Sequence, residues 1–102
     1  MKHPLLNQIV LIRAQKAGLH YGVLEDYNSE YVYLTDSRRI WSWEGGALSC
    51  SELSQKAPDD GKIACVVPHL TIPISDIGEV ILMSPVAVSK LNELSTKTKA
   101  GE

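Results

Sequence analysis

The stretch from Gln8 to Trp43 leaves few topologies open, because four strand-like segments follow one another across short links. Gln8-Ile9-Val10-Leu11-Ile12-Arg13 is continuous and β-branched, the pattern of a strand covered on much of both faces. Gln15-Lys16-Ala17-Gly18 turns the chain into Leu19 to Glu25, where Leu19, Tyr21 and Val23 share one face and His20, Gly22 and Leu24 the other. A glycine inside a strand marks a bulge or a close approach by another backbone. Asp26-Tyr27-Asn28-Ser29 is a turn, and Glu30 to Thr35 then alternates Tyr31, Tyr33 and Thr35 against Val32 and Leu34. Asp36-Ser37 reads as a link into a fourth strand, Arg38 to Trp43. Parallel neighbours need long crossovers, so these short links predict an antiparallel meander.

The second half adds helices. Ser49 and Glu52 form the S-x-x-E pattern of a capping box, which predicts a short helix from Cys50 to Lys56 with Leu53 facing the sheet. Residues 57–61, Ala-Pro-Asp-Asp-Gly, predict the most exposed loop. Lys62 to Val67 is strand-like, and Pro68 and Pro73 bracket an edge strand or an irregular extended run. Ile77 to Met83 is the last predicted strand. Ser84-Pro85 is a helix start, and Ala87, Leu91 and Leu94 make the packed stripe of a helix from Pro85 to Leu94. The expected fold class is α+β: mainly antiparallel β-sheet with a short central helix and a C-terminal helix. One domain spans residues 1–102, with 1–6 and 95–102 as loose ends.

Composition excludes several functions. The formal net charge of -2 leaves no polybasic footprint for duplex nucleic acid. No apolar run is long enough for a membrane span, and the first residues turn polar too soon for a signal peptide. His3, His20 and His69 are scattered, with no HxxxH or HExxH, so neither metal nor catalytic base is indicated. Cys50 and Cys65 lie outside any CxxC; they read as reduced, partly buried thiols, with a disulfide between them left open. No P-loop or GxGxxG is present. Neither a catalytic constellation nor a cofactor is expected.

The residues with binding chemistry gather at Arg38-Arg39-Ile40-Trp41-Ser42-Trp43, ahead of the pair Gly45-Gly46. Strand alternation predicts Arg39, Trp41 and Trp43 on one face and Arg38, Ile40 and Ser42 on the other. A guanidinium pairs with phosphate or carboxylate, and an indole stacks on flat groups. The ordinary account of paired tryptophans is a core, and of paired arginines a solvated edge. Tyr21, Tyr31 and Tyr33 stand beside this stretch either as stacking rings or as cross-strand pairs. His20, Tyr21 and His69 complete the candidate ligand-binding set of Arg38, Arg39, Trp41 and Trp43.

These same residues carry a family resemblance. Val10-Leu11-Ile12-Arg13, Ala17-Gly18-Leu19-His20-Tyr21-Gly22-Val23-Leu24 and Ser37-Arg38-Arg39-Ile40-Trp41-Ser42-Trp43, followed by Gly46-Ala47, Ser49 and Leu53, resemble the phage Thoeris anti-defence protein of the first type. Glu79 to Ser84 is similar to that family's last strand and the start of its C-terminal helix. The chain departs from the pattern at Ser42, where tyrosine is common, at Leu48, and in the loop 57–62. The resemblance implies a non-enzymatic sponge in the cytoplasm of the infected bacterial host. Such a protein holds the cyclic ADP-ribose-type signal of Thoeris immunity, in some members also cyclic di- or trinucleotides of CBASS, without cleaving it. It implies homo-oligomers, dimers or hexamers built from dimers, with the ADP-ribose signal bound between protomers. Two other readings stay open: a small phage structural or interaction protein with no small ligand, and a cyclic-nucleotide hydrolase.

Overall fold

The computed structural model describes residues 4–45, 50–56 and 58–97. It is α+β, an antiparallel sheet with one short and one C-terminal helix. In chain order the elements are β1 (Ile9–Ala14), β2 (Gly18–Tyr27), β3 (Tyr31–Glu44), α1 (Cys50–Gln55), β4 (Asp60–Ile63), β5 (Val67–Pro73), a single 3-10 turn (Ile74–Asp76), β6 (Ile77–Leu82) and α2 (Pro85–Lys97). The strand order is β4-β3-β2-β1-β6, and β5 also pairs with β3. β4 pairs with the second half of β3 and β5 with its first half.

Both faces are buried, as the unbroken apolar run in β1 requires. Leu11, Tyr21 and Ile40 point to the helices and pack with Leu53, Ile63, Met83, Ala87, Leu91 and Leu94. Val10, Ile12, Leu24, Val32, Leu34 and Ile72 form a second core on the opposite face. Ile72 comes from β5 and Val80 from β6, so the two edges of the sheet share one apolar cluster and the sheet curls around it. Leu5 and Leu6 also pack there, so the predicted loose lead-in is anchored.

α2 begins as expected: the Ala87 N–H donates to Ser84 Oγ at 3.2 Å. Ser84 Oγ–H donates to the Gln55 carbonyl at 2.8 Å, which ties α1 to α2. The predicted Ser49–Glu52 capping box and the turn at Gly46 lie outside the described residues. Pro58 is fully buried, against the exposed loop expected there. Cys65 is free and exposed, against the partly buried thiol expected.

The main correction concerns β3. Asp36-Ser37 is not a link between two strands but a bulge inside one. Tyr21 pairs with Arg38 and Val23 with Thr35, so β3 carries one residue more than β2 between those pairs. Asp36 takes a φ of 50°, and Ser37 is buried with Oγ–H donating to the Val67 carbonyl at 3.4 Å. One extra residue exchanges the faces. Val32 and Leu34 therefore point into the second core, whereas Arg38 and Ile40 point to the helices. Gly22 is the close approach that its position in the strand predicted: a Cβ there would lie 2.8 Å from Ser37 Cα.

Candidate functional site

Two clusters of candidate residues lie on opposite faces of the β2–β3 ladder, because directly paired residues share a face. His20 pairs with Ile12 and Arg39, which places Arg39 on the face of the second core. Tyr21 pairs with Leu11 and Arg38, which places Arg38 on the helix face.

On the first face, the Arg39 Cζ lies 4.0 Å from the centroid of the Trp41 ring. Trp41 is 54% exposed, so the indole still offers surface to a ligand. The guanidinium also rests on the β1–β2 turn. Gly18 has a φ of +89°, and a Cβ there would lie 2.9 Å from Arg39 Nη2 and 3.3 Å from Cζ. Only glycine gives both the left-handed backbone and the room. The turn is tied down on two sides. The Lys16 and Ala17 N–H groups each donate to a carboxylate oxygen of Asp76 at 2.8 Å. His20 Nε2–H donates to the Ala17 carbonyl at 2.7 Å. Burial holds the His20 pKa below its ordinary value; the bond to Ala17 opposes this, and the Arg39 charge adds to it.

On the second face, Asn92 of α2 is the hub. Its Oδ1 accepts from Tyr21 Oη–H at 2.8 Å and from Arg38 Nη1–H at 3.0 Å. Burial pushes the Tyr21 hydroxyl up to about 12, against the lowering effect of Arg38. Arg38 Nε is buried without a hydrogen-bond partner among the described residues. A groove of about 480 Å³ runs past Asn92, between α2 and the ends of β1 and β6.

The predicted set is thus divided. Arg39, Trp41 and His20 come together; Arg38 and Tyr21 come together elsewhere. Trp43 joins neither, against the expectation that it shares the face of Arg39 and Trp41. Ile40 pairs with Ile63 and Ser42 with Lys62, so Trp41 is an extra residue in β3 and the alternation shifts beyond it. Trp43 therefore packs against the helix-side core with Ile40. His69 is distant from both clusters in the ladder, opposite Thr35, stacked on Tyr33 and hydrogen-bonded to its hydroxyl at 2.5 Å. Asn92 and Asp76 were not singled out in the sequence. Their partners lie more than fifty residues away, and the one local signal is an aspartate in the Pro- and Gly-flanked segment 73–78.

Arg13 forms an ion pair with Glu79 at 3.0 Å. Neither Arg38 nor Arg39 meets a carboxylate among the described residues: one holds a neutral amide, the other an indole. Among the described residues no cluster of His, Cys, Asp and Glu is suited to a metal ion, and no helix is long and apolar enough to cross a membrane.

The family model described as Domain of unknown function (DUF6948) matches residues 7–91, a span that contains the Arg39–Trp41–His20 cluster and every strand and stops one residue short of Asn92. The chain belongs to the DUF6948 family. No curated protein and no solved structure matches it. The match covers Arg39, Trp41 and the turn at Gly18, so the platform belongs to the body of the DUF6948 domain.

Proposed function

We propose that this DUF6948 protein is a phage anti-defence sponge that captures a cyclic ADP-ribose-type signal, or a cyclic di- or trinucleotide, and holds it unchanged in the host cytoplasm. The observation that carries the reading is the Arg39 guanidinium against a half-exposed indole with no carboxylate partner among the described residues. The ligand class implied by the Thoeris anti-defence resemblance is anionic and aromatic, and the platform suits both properties. The guanidinium supplies charge-assisted hydrogen bonds to phosphate, and the ring supplies stacking worth about 1–3 kcal/mol per base. To outcompete a receptor the protein needs about nanomolar affinity, roughly -12 kcal/mol. A half-exposed ring on one protomer is a platform and not an enclosure, so the site is completed by a second copy, in a dimer or a hexamer built from dimers.

Calorimetry against cyclic ADP-ribose isomers and a panel of cyclic oligonucleotides tests the proposal. Tight binding is expected to at least one, and chromatography after heat denaturation should return it chemically intact. Silence across the panel defeats the proposal, and turnover replaces it with a hydrolase.

A second reading has its own observation. Trp41, Val66 and Val67 are exposed at 54, 43 and 41%, the first on β3 and the others at the start of β5, which pairs with it; exposed apolar side chains of this kind are what a protein partner covers. A monomer by light scattering, with tryptophan emission indifferent to every nucleotide, selects an interaction protein instead.

A further inference from the structure

We infer that Asp76 is the positioning residue of the Arg39–Trp41 platform: its carboxylate holds the β1–β2 turn on which the Arg39 guanidinium rests. The inference relies on the reading of that platform as the ligand site.

Three consecutive backbone N–H groups converge on this one residue. Gln15 N–H donates to the Asp76 carbonyl at 2.9 Å, and Lys16 and Ala17 N–H donate to its two carboxylate oxygens at 2.8 Å each. Asp76 closes the 3-10 turn between β5 and β6, so the bonds join the β1–β2 turn to the connection between those two strands. Gly18 follows immediately, and the guanidinium occupies the space that a Cβ there would need. On the other side of the turn His20 holds the Ala17 carbonyl. Ala17 is thus gripped at its N–H by Asp76 and at its C=O by His20, and Gly18 inherits that position. An arginine side chain has several rotatable bonds, and among the described residues the Trp41 ring is its other brace here. Removing the acceptors from under the turn frees the guanidinium, and the freedom must be lost again when ligand binds. The carboxylate also matches its donors: the N–H groups of Ala17 and Lys16 hold the Asp76 pKa below the ordinary value.

The test uses the full chain with Trp43→Phe, so that Trp41 reports alone. Asp76→Ala removes both acceptors, and Asp76→Asn keeps one oxygen. Two measurements need no ligand: acrylamide quenching of Trp41 and hydrogen exchange at Lys16, Ala17 and Gly18. Both should rise, most in Asp76→Ala and less in Asp76→Asn, while far-ultraviolet circular dichroism stays native. Affinity for cyclic ADP-ribose or cyclic di-AMP, whichever binds the parent, should fall about tenfold in Asp76→Ala, the loss expected from one unfixed side chain. Gly18→Ala displaces the guanidinium directly and should reproduce the quenching change with Asp76 intact. Unchanged quenching and exchange in both Asp76 variants overturn the inference, whatever binds. Arg39→Met separates the two ideas. If it leaves affinity intact, the platform is not the ligand site; if it abolishes binding that Asp76→Ala spares, Asp76 does not position it.

Discussion

Arg38 and Arg39 are adjacent in sequence and chemically identical, yet the fold gives them opposite surroundings. Arg38 lies beneath α2, hydrogen-bonded to a neutral amide, with Nε sealed from solvent and unpartnered among the described residues. Arg39 lies on the other face, braced by an exposed ring and a glycine turn. The strand separates them by one peptide, but the bulge at Asp36-Ser37 decides which one goes under the helix. Had β3 run straight from Val32, its even-numbered residues would have stayed on the face of Val32 and Leu34. Both arginines are half-buried, so what separates them is what they touch: Arg38 leaves a buried Nε unpartnered among the described residues, whereas a cation on an aromatic rim is free to meet an anion.

The largest effect should come from attacking the bulge itself. In Gly22→Ala the new Cβ lies 2.8 Å from Ser37 Cα, 2.9 Å from Ser37 Cβ and 3.1 Å from the Thr35 carbonyl oxygen, all on the strand across the ladder. Two of those atoms are backbone and cannot rotate away. Urea unfolding should show a loss of about 3 kcal/mol, the upper range for an overpacked site. A loss below about 0.5 kcal/mol, the scatter of ordinary surface changes, would mean that the bulge relaxes freely and does not fix the two faces.

The next effect separates the arginines directly. Arg39→Met should weaken nucleotide binding by about 2 kcal/mol, the worth of a charge-assisted hydrogen bond. It should change stability by no more than about 1 kcal/mol, the contribution of a half-buried cation resting on a ring. Arg38→Met should do the reverse. Binding at the platform stays, and thermal unfolding shows stability unchanged or raised by about 1 kcal/mol, because an apolar side chain removes a buried Nε that has no hydrogen-bond partner among the described residues. Asn92 keeps its bond from Tyr21 in that variant. If Arg38→Met destroys binding and Arg39→Met does not, the ligand site belongs on the helix face, along the groove at Asn92.

Much of the scaffold was legible because it follows from local periodicity. The unbroken Ile9 to Ile12 run signals burial on two faces, and the stripe Ala87, Leu91, Leu94 is fully or nearly fully buried. Ser84 caps α2 as its place before Pro85 suggests. The misreadings that move candidate site residues involve register between strands; those at Pro58, Cys65 and the anchored Leu5 and Leu6 are of burial. Asp36-Ser37 looks the same in sequence whether it joins two strands or bulges within one, since only the partner strand counts the extra residue. The same holds at Trp41, and it carried Trp43 from the expected face to the core. The candidate site was legible as residue types and not as an arrangement. Gly18 and Asp76 become parts of it only when a turn 59 residues away from its acceptor closes on it.

The smallest effect lies at the Tyr21–Asn92–Arg38 hub and appears only in alkali. Of the four tyrosines, Tyr21 is the one whose hydroxyl is pushed up to about 12 by burial. Its folded pKa is above the unfolded value near 10, so the folded state keeps the proton longer. The stability this contributes is fully present below pH 10 and is lost as the pH rises from about 10 to about 12. Absorbance titration at 295 nm should therefore show a late tyrosine step near pH 12, and Tyr21→Phe should remove it. Arg38→Met should raise it further, because the guanidinium now favours the phenolate by its charge. Arg39→Met, on the other face, should leave it in place. A late step that moves with Arg39 and not with Arg38 would show that the two clusters share one electrostatic environment, and the division of the sheet into two chemically separate faces would fail.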